Sequence, residues 1–143
     1  MYRKLTATFA AIGVAFSAGL ALAATLPSNI ETMQTKVGTV YATTGGMTVY
    51  EFKKDKPHTM SSACYAGCAA LWPSVAAPAG FAPAAPWGAL TRSDGTQQLT
   101  YKGYPLYTWS KDAKPGDVTG QGVKGVWRAA RPGATPLAWT AAQ

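Results

Sequence analysis

One histidine, two cysteines and six acidic residues are all that 143 positions offer to reactive chemistry. Each scarcity removes a class of function. A Ser-His-Asp hydrolase would have to use His58 with Ser61, Ser62 or another serine delivered by the fold, and no G-x-S-x-G elbow is present. A glycosidase needs two carboxylates at a set separation. Of Glu31, Glu51, Asp55, Asp94, Asp112 and Asp117, only Asp55 and Asp112 occupy equivalent positions, and both sit where an aspartate caps a turn. The segment Cys64-Tyr65-Ala66-Gly67-Cys68 has neither the C-x-x-C spacing of a thioredoxin-like site nor the C-x-x-C-H of haem attachment. Lysines and arginines are scattered with no continuous basic stripe, so nucleic acid is not an expected partner. No long amphipathic helix pattern occurs.

What is present begins with an address. Arg3 and Lys4 precede an apolar stretch from Leu5 to Leu22 that carries Gly13, Ser17 and Gly19 and closes on Ala21-Leu22-Ala23. That pattern reads as a secretory signal (1–23) cleaved after Ala23, leaving no stable transmembrane anchor and placing the product in the periplasm or outside the cell. No cysteine lies there to carry a lipid. Loss of Arg3 and Lys4 takes the formal charge from +7 to +5. A mildly basic exported protein can lean on anionic envelope polymers or headgroups.

The mature chain repeats itself. Gly46-Met47-Thr48-Val49-Tyr50-Glu51-Phe52-Lys53-Lys54-Asp55 returns in register as Gly103-Tyr104-Pro105-Leu106-Tyr107-Thr108-Trp109-Ser110-Lys111-Asp112. Residues 24–36 read as a polar N-terminal arm. The β domain then spans 37–143, with repeat one at 37–77, an Ala/Pro-rich connector at 78–86 and repeat two at 87–131. About 120 residues allow a single domain, so the repeats are expected to share one core.

β-rich runs flank Thr43-Thr44-Gly45-Gly46 as a hairpin. Asp94-Gly95, between Ala89–Arg92 and Gln97–Tyr101, marks the clearest one. Strand alternation points Tyr50 with Phe52, and Tyr107 with Trp109, to one side. Each repeat then reaches a tryptophan after a loop of small residues: the two-cysteine segment before Trp72, and Gly120-Gln121-Gly122-Val123-Lys124-Gly125 before Trp127. With a last strand at Leu137–Thr140, the expectation is an all-β, sandwich- or barrel-like domain of about seven or eight short antiparallel strands. Trp87, in the proline-rich connector, is the aromatic expected at the surface.

Tyr50-x-Phe52-x-x-Asp55 and Tyr107-x-Trp109-x-x-Asp112, together with Cys64-x-x-Gly67-Cys68, Trp72-Pro73, Asp94-Gly95, Lys114-Pro115-Gly116-Asp117 and Gly125-Val126-Trp127, resemble a bacterial family of secreted repeats of unknown function. Its members are described as predicted lipoproteins with a Yx(FWY)xxD motif. The resemblance covers nearly all of Val37 to Arg131. It implies export and a fold, and no agreed activity. The chain departs from many relatives in lacking a lipid-bearing cysteine, and in having His58 where a glycine often follows the proline.

Cys64 and Cys68, an even pair in an exported chain, are expected to form a disulfide. If reduced, they would join His58 and Met60 in a segment of soft ligands suited to Cu(I), with Met47 as a possible further ligand. The functional expectation is an exported, non-catalytic binding or structural module without a cofactor, acting on an envelope component or small ligand. A copper or redox accessory protein is the alternative and an envelope hydrolase the third reading.

Overall fold

The computed structural model describes residues 24–141. The expected signal segment and its cleavage after Ala23 lie outside the described residues. Among the described residues, seven strands form three small antiparallel sheets with no closed barrel. β1 (Ile30–Thr35) pairs with β2 (Gly38–Thr43), β3 (Tyr50–Phe52) with β7 (Trp127–Ala129), and β4 (Trp87–Thr91) with β5 (Gln97–Tyr101), which also pairs with β6 (Tyr104–Pro105). One short helix, α1 (Gly67–Leu71), and a 3-10 turn (Val123–Gly125) complete the elements of the described residues.

The hairpin at Asp94-Gly95 is formed as its turn residues dictate. Gly95 adopts φ +85°, and Asp94 Oδ1 accepts both the N–H and the hydroxyl of Thr96, at 2.9 and 2.7 Å. The hairpin around Gly45-Gly46 forms only in part. Ala42 bridges Thr48, but the chain then leaves β2 and β3 pairs with β7 from the other repeat.

Three expectations about individual segments are corrected. Residues 30–35 are not an arm: they run antiparallel to β2 in full register, and buried Ile30 joins the core. Residues 137–140 form no strand; instead Gln121 Nε2 donates to the carbonyls of Ala138 and Thr140. Trp87 is only 3% exposed, held between Tyr41 and Tyr101 at ring distances of 4.9 Å. It opens β4 rather than ending a surface connector, and a strand's first residue can point inward like any other.

The expected single core is two clusters, each built from both repeats. One holds Val40, Tyr50, Phe52, Trp72, Tyr107, Trp109 and Trp127. The other holds Tyr41, Val49, Val75, Trp87, Leu99, Tyr101 and Leu106. Adjacent residues serve opposite clusters: Val40 and Tyr41, Val49 and Tyr50, Leu106 and Tyr107. Successive side chains of an extended chain face opposite ways, so these segments are covered on both faces and bury consecutive residues. Even the stretch after Trp72 takes part, with Val75 N–H donating to Leu106 O and Leu99 N–H to Val75 O.

Candidate functional site

The repeat motif builds the centre of the molecule. Tyr50 and Tyr107 pair through their backbones, each N–H donating to the other's carbonyl at 2.7 and 3.0 Å. Two residues on, Phe52 and Trp109 start the same tight turn, in which the Asp55 and Asp112 N–H groups donate back to their carbonyls at 3.0 Å. The Y-x-[FW]-x-x-D spacing is thus a strand end followed by a three-residue return.

The return aims each aspartate at the tyrosine of the other repeat. Tyr50 OH donates to Asp112 Oδ2 at 2.6 Å, and Tyr107 OH donates to Asp55 Oδ2 at 2.7 Å. The aspartates also secure the loops that follow them. Asp55 Oδ1 accepts the Ala63 N–H at 2.6 Å, and Asp112 Oδ1 accepts the Thr119 N–H and hydroxyl at 2.9 and 2.6 Å. Neither carboxylate hydrogen-bonds within its own turn, so the expected turn cap is corrected: the aspartates tie down the following loops and join the repeats crosswise. Burial pushes the Asp55 carboxyl above its ordinary range, opposed by the Ala63 N–H, the Tyr107 hydroxyl and the Arg92 charge. Burial, reinforced by the partner carboxylate, raises both tyrosine phenols, so they act as donors.

Above this crossed pair stands a continuous ring stack. Trp109 lies on Trp72 at 4.0 Å, Trp72 on Trp127 at 3.7 Å, and Trp127 on Phe52 at 4.2 Å, with interplanar angles of 26°, 4° and 14°. The rings alternate between repeats. Tyr50 meets Trp72 edge-on and Tyr107 meets Trp127 likewise, at 5.5 and 5.2 Å. One border of the stack opens on a cleft of about 390 Å³, flanked by α1 with its exposed Leu71, by the 3-10 turn, and by the exposed Lys54 and Lys124.

Cys64 and Cys68 are joined in a disulfide that spans the start of α1. Cys64 is wholly buried against the stack and Cys68 borders the cleft. His58 and Met60 lie elsewhere, lining a groove with Trp87 and Gly103. The four soft-ligand candidates are therefore not brought together. Among the described residues, no three His, Cys, Asp or Glu side chains are grouped to hold a metal ion. Ser62 Oγ is 2.7 Å from Tyr107 OH and accepts from Arg92 and from the Cys64 N–H, while the His58 ring packs against Gly103.

Residue-by-residue reading missed Arg92 and Gln98. Arg92 is 6% exposed; it donates to Gln98 Oε1 at 2.7 Å and to the Cys64 carbonyl at 2.7 Å, tying the hairpin to the disulfide loop. Nothing local marks it, because an arginine beside a hairpin turn is ordinarily solvated.

A chain of two crossed β repeats around an aromatic stack is, by class, a tandem-repeat β domain whose halves complete each other. A family model for secreted repeats of unknown function matches residues 31–76 and again 88–131, and the chain belongs to that family. No curated protein and no solved structure matches it.

Proposed function

We propose that the protein is an exported, non-catalytic binding module whose ligand enters the tryptophan-bordered cleft. The supporting observation is the cleft itself: four stacked rings from both repeats reach its border, apolar Leu71, Val123 and Val126 extend the wall, and Lys54 and Lys124 stand at the rim. Aromatic and aliphatic walls with a few charged groups suit a small, flat, mostly apolar molecule bearing an anionic substituent. The motif carboxylates do not favour catalysis, since each is already engaged by a phenol and a backbone N–H.

Naphthalene sulfonate and uncharged naphthalene methanol serve as probes, read by quenching of tryptophan fluorescence. Saturable quenching is expected, stronger for the sulfonate and weakened in the double variant Lys54→Gln, Lys124→Gln. Quenching that rises linearly without saturation, or that ignores both substitutions, would remove this reading.

A further inference from the structure

The β3–β7 ribbon has a second face, turned away from the stack of Trp72, Trp109 and Trp127. Glu51 and Arg128 are register partners whose side chains alternate with Tyr50, Phe52, Trp127 and Ala129, and they meet as an ion pair at 2.6 Å. A pocket of about 190 Å³ opens there, lined also by Lys102 and Arg131 and far larger than the ~10–15 Å³ that one water requires. Three cations thus surround one carboxylate, which is already committed to Arg128 Nε.

Two further observations bear on this pocket, in which Lys102 Nζ donates to the Gly133 carbonyl. Arg131 Nε is buried with no acceptor among the described residues. A buried donor of this kind is uncommon because it carries its full desolvation penalty. Lys102, for its part, occupies the first position of the two-residue turn Lys102-Gly103 between β5 and β6, at φ +48°. Both central residues of this turn have positive φ, where Asn, Asp or Gly sits with less strain than lysine. Strain retained at a charged residue in a pocket is a pointer to what the side chain does. The third cation is held in place: the Arg128 guanidinium lies 4.0 Å over Trp139 and 5.3 Å from Tyr104.

We infer that this pocket is an oxyanion site, independent of the tryptophan cleft, that takes a phosphate monoester group between Lys102, Arg128 and Arg131. Two positive charges remain once Glu51 is counted, matching the charge of such a group near neutral pH. The guanidinium donors suit its oxygens in a forked geometry, and Arg131 Nε gains the acceptor it lacks. The group could belong to a soluble phosphate ester or to a lipid headgroup, since both present the same oxygens.

Calorimetric titration of the mature protein with inorganic phosphate and glycerol phosphate in dilute buffer tests the site, alongside vesicles with and without phosphatidic acid. Saturable binding of the soluble anions is expected. It should weaken about tenfold or more in Lys102→Asn and in Arg131→Gln, and not in the remote surface variant Lys36→Gln. Lys102→Asn should unfold at or above the parent's temperature, because asparagine accepts this turn more readily. Vesicle binding in addition to soluble binding would identify the headgroup as a source; soluble binding alone would identify the free ester. The inference fails if neither soluble anion saturates, if only vesicles bind, or if Lys36→Gln weakens binding as much as Lys102→Asn. It fails equally if Lys102→Asn lowers the unfolding temperature and leaves anion binding intact.

Discussion

Two loops lead to the two inner rings of the stack, and they are built by different means. In repeat one, a disulfide and the single turn of α1 precede Trp72, whose N–H donates to the Cys68 carbonyl at 2.8 Å. In repeat two, a glycine-rich segment and a 3-10 turn precede Trp127, with Gly122 at φ +77° and Gly125 at φ +66°. Cys64 and Gly120 are equivalent positions, each following the N–H that the repeat's aspartate accepts. Cys64 fills its place with sulfur. Gly120 leaves its place empty because a Cβ would lie 2.7 Å from the Tyr50 ring and 3.0 Å from Trp72. What the repeats have in common is the placement of a tryptophan, and the covalent link is one of two ways to achieve it.

The largest effect should come from the rings both loops deliver. Trp72→Ala and Trp127→Ala should each cost roughly 3–5 kcal/mol in chemical denaturation, the range for large core aromatics, and by nearly equal amounts. A clear inequality would show that the pseudo-symmetry of the stack is not energetic. Next come the loops themselves. Gly120→Ala should cost about 1–3 kcal/mol through overpacking, against about 2 kcal/mol by chain entropy for the paired Cys64→Ser, Cys68→Ser variant. If the double cysteine variant fails to fold while Gly120→Ala is tolerated, the disulfide loop is the organising one and the equivalence is wrong.

The crossed aspartates sharpen the comparison further. Asparagine at 112 must keep its carbonyl toward Thr119, which turns its amide toward Tyr50. That hydroxyl already receives the Gly120 N–H, so its own proton loses its acceptor. Tyr107 is placed alike: Ser62 Oγ, 2.7 Å away, already accepts from Arg92 and from the Cys64 N–H, so it has no lone pair left for the phenol proton. Asp112→Asn and Asp55→Asn should therefore each cost about 1–3 kcal/mol. A near-neutral Asp55→Asn beside a costly Asp112→Asn would count against this account of the network.

The smallest effect concerns pH. Burial raises the folded-state pKa of both Glu51 and Asp55, each in repeat one. A carboxyl raised in this way binds its proton more readily when folded. Its favourable contribution is complete below the ordinary carboxylate range and is lost as pH rises through the folded value. The exposed Asp94 and Asp117 shift down and oppose this trend at lower pH. The unfolding temperature should rise modestly as pH falls from neutral toward the carboxylate range, and the rise should be shallower in Asp55→Asn. An unchanged slope in that variant would assign the effect to Glu51.

The local features were legible from residues alone because local chemistry controls them. Asp94-Gly95 makes its turn wherever it is placed, Cys64 and Cys68 are close enough along the chain to be joined, and period-two alternation puts Tyr50 with Phe52 on one face. The repeat itself announced an antiparallel β protein with two related halves. Tertiary structure alone decided how the halves meet. That Tyr50 reaches Asp112, that the stack alternates between repeats, that residues 30–35 are a strand, and that Trp87 and Arg92 are buried all depend on which face lies against which. A sequence specifies the two faces of each strand through side-chain alternation; the partner of each face lies tens of residues away, and only packing selects it.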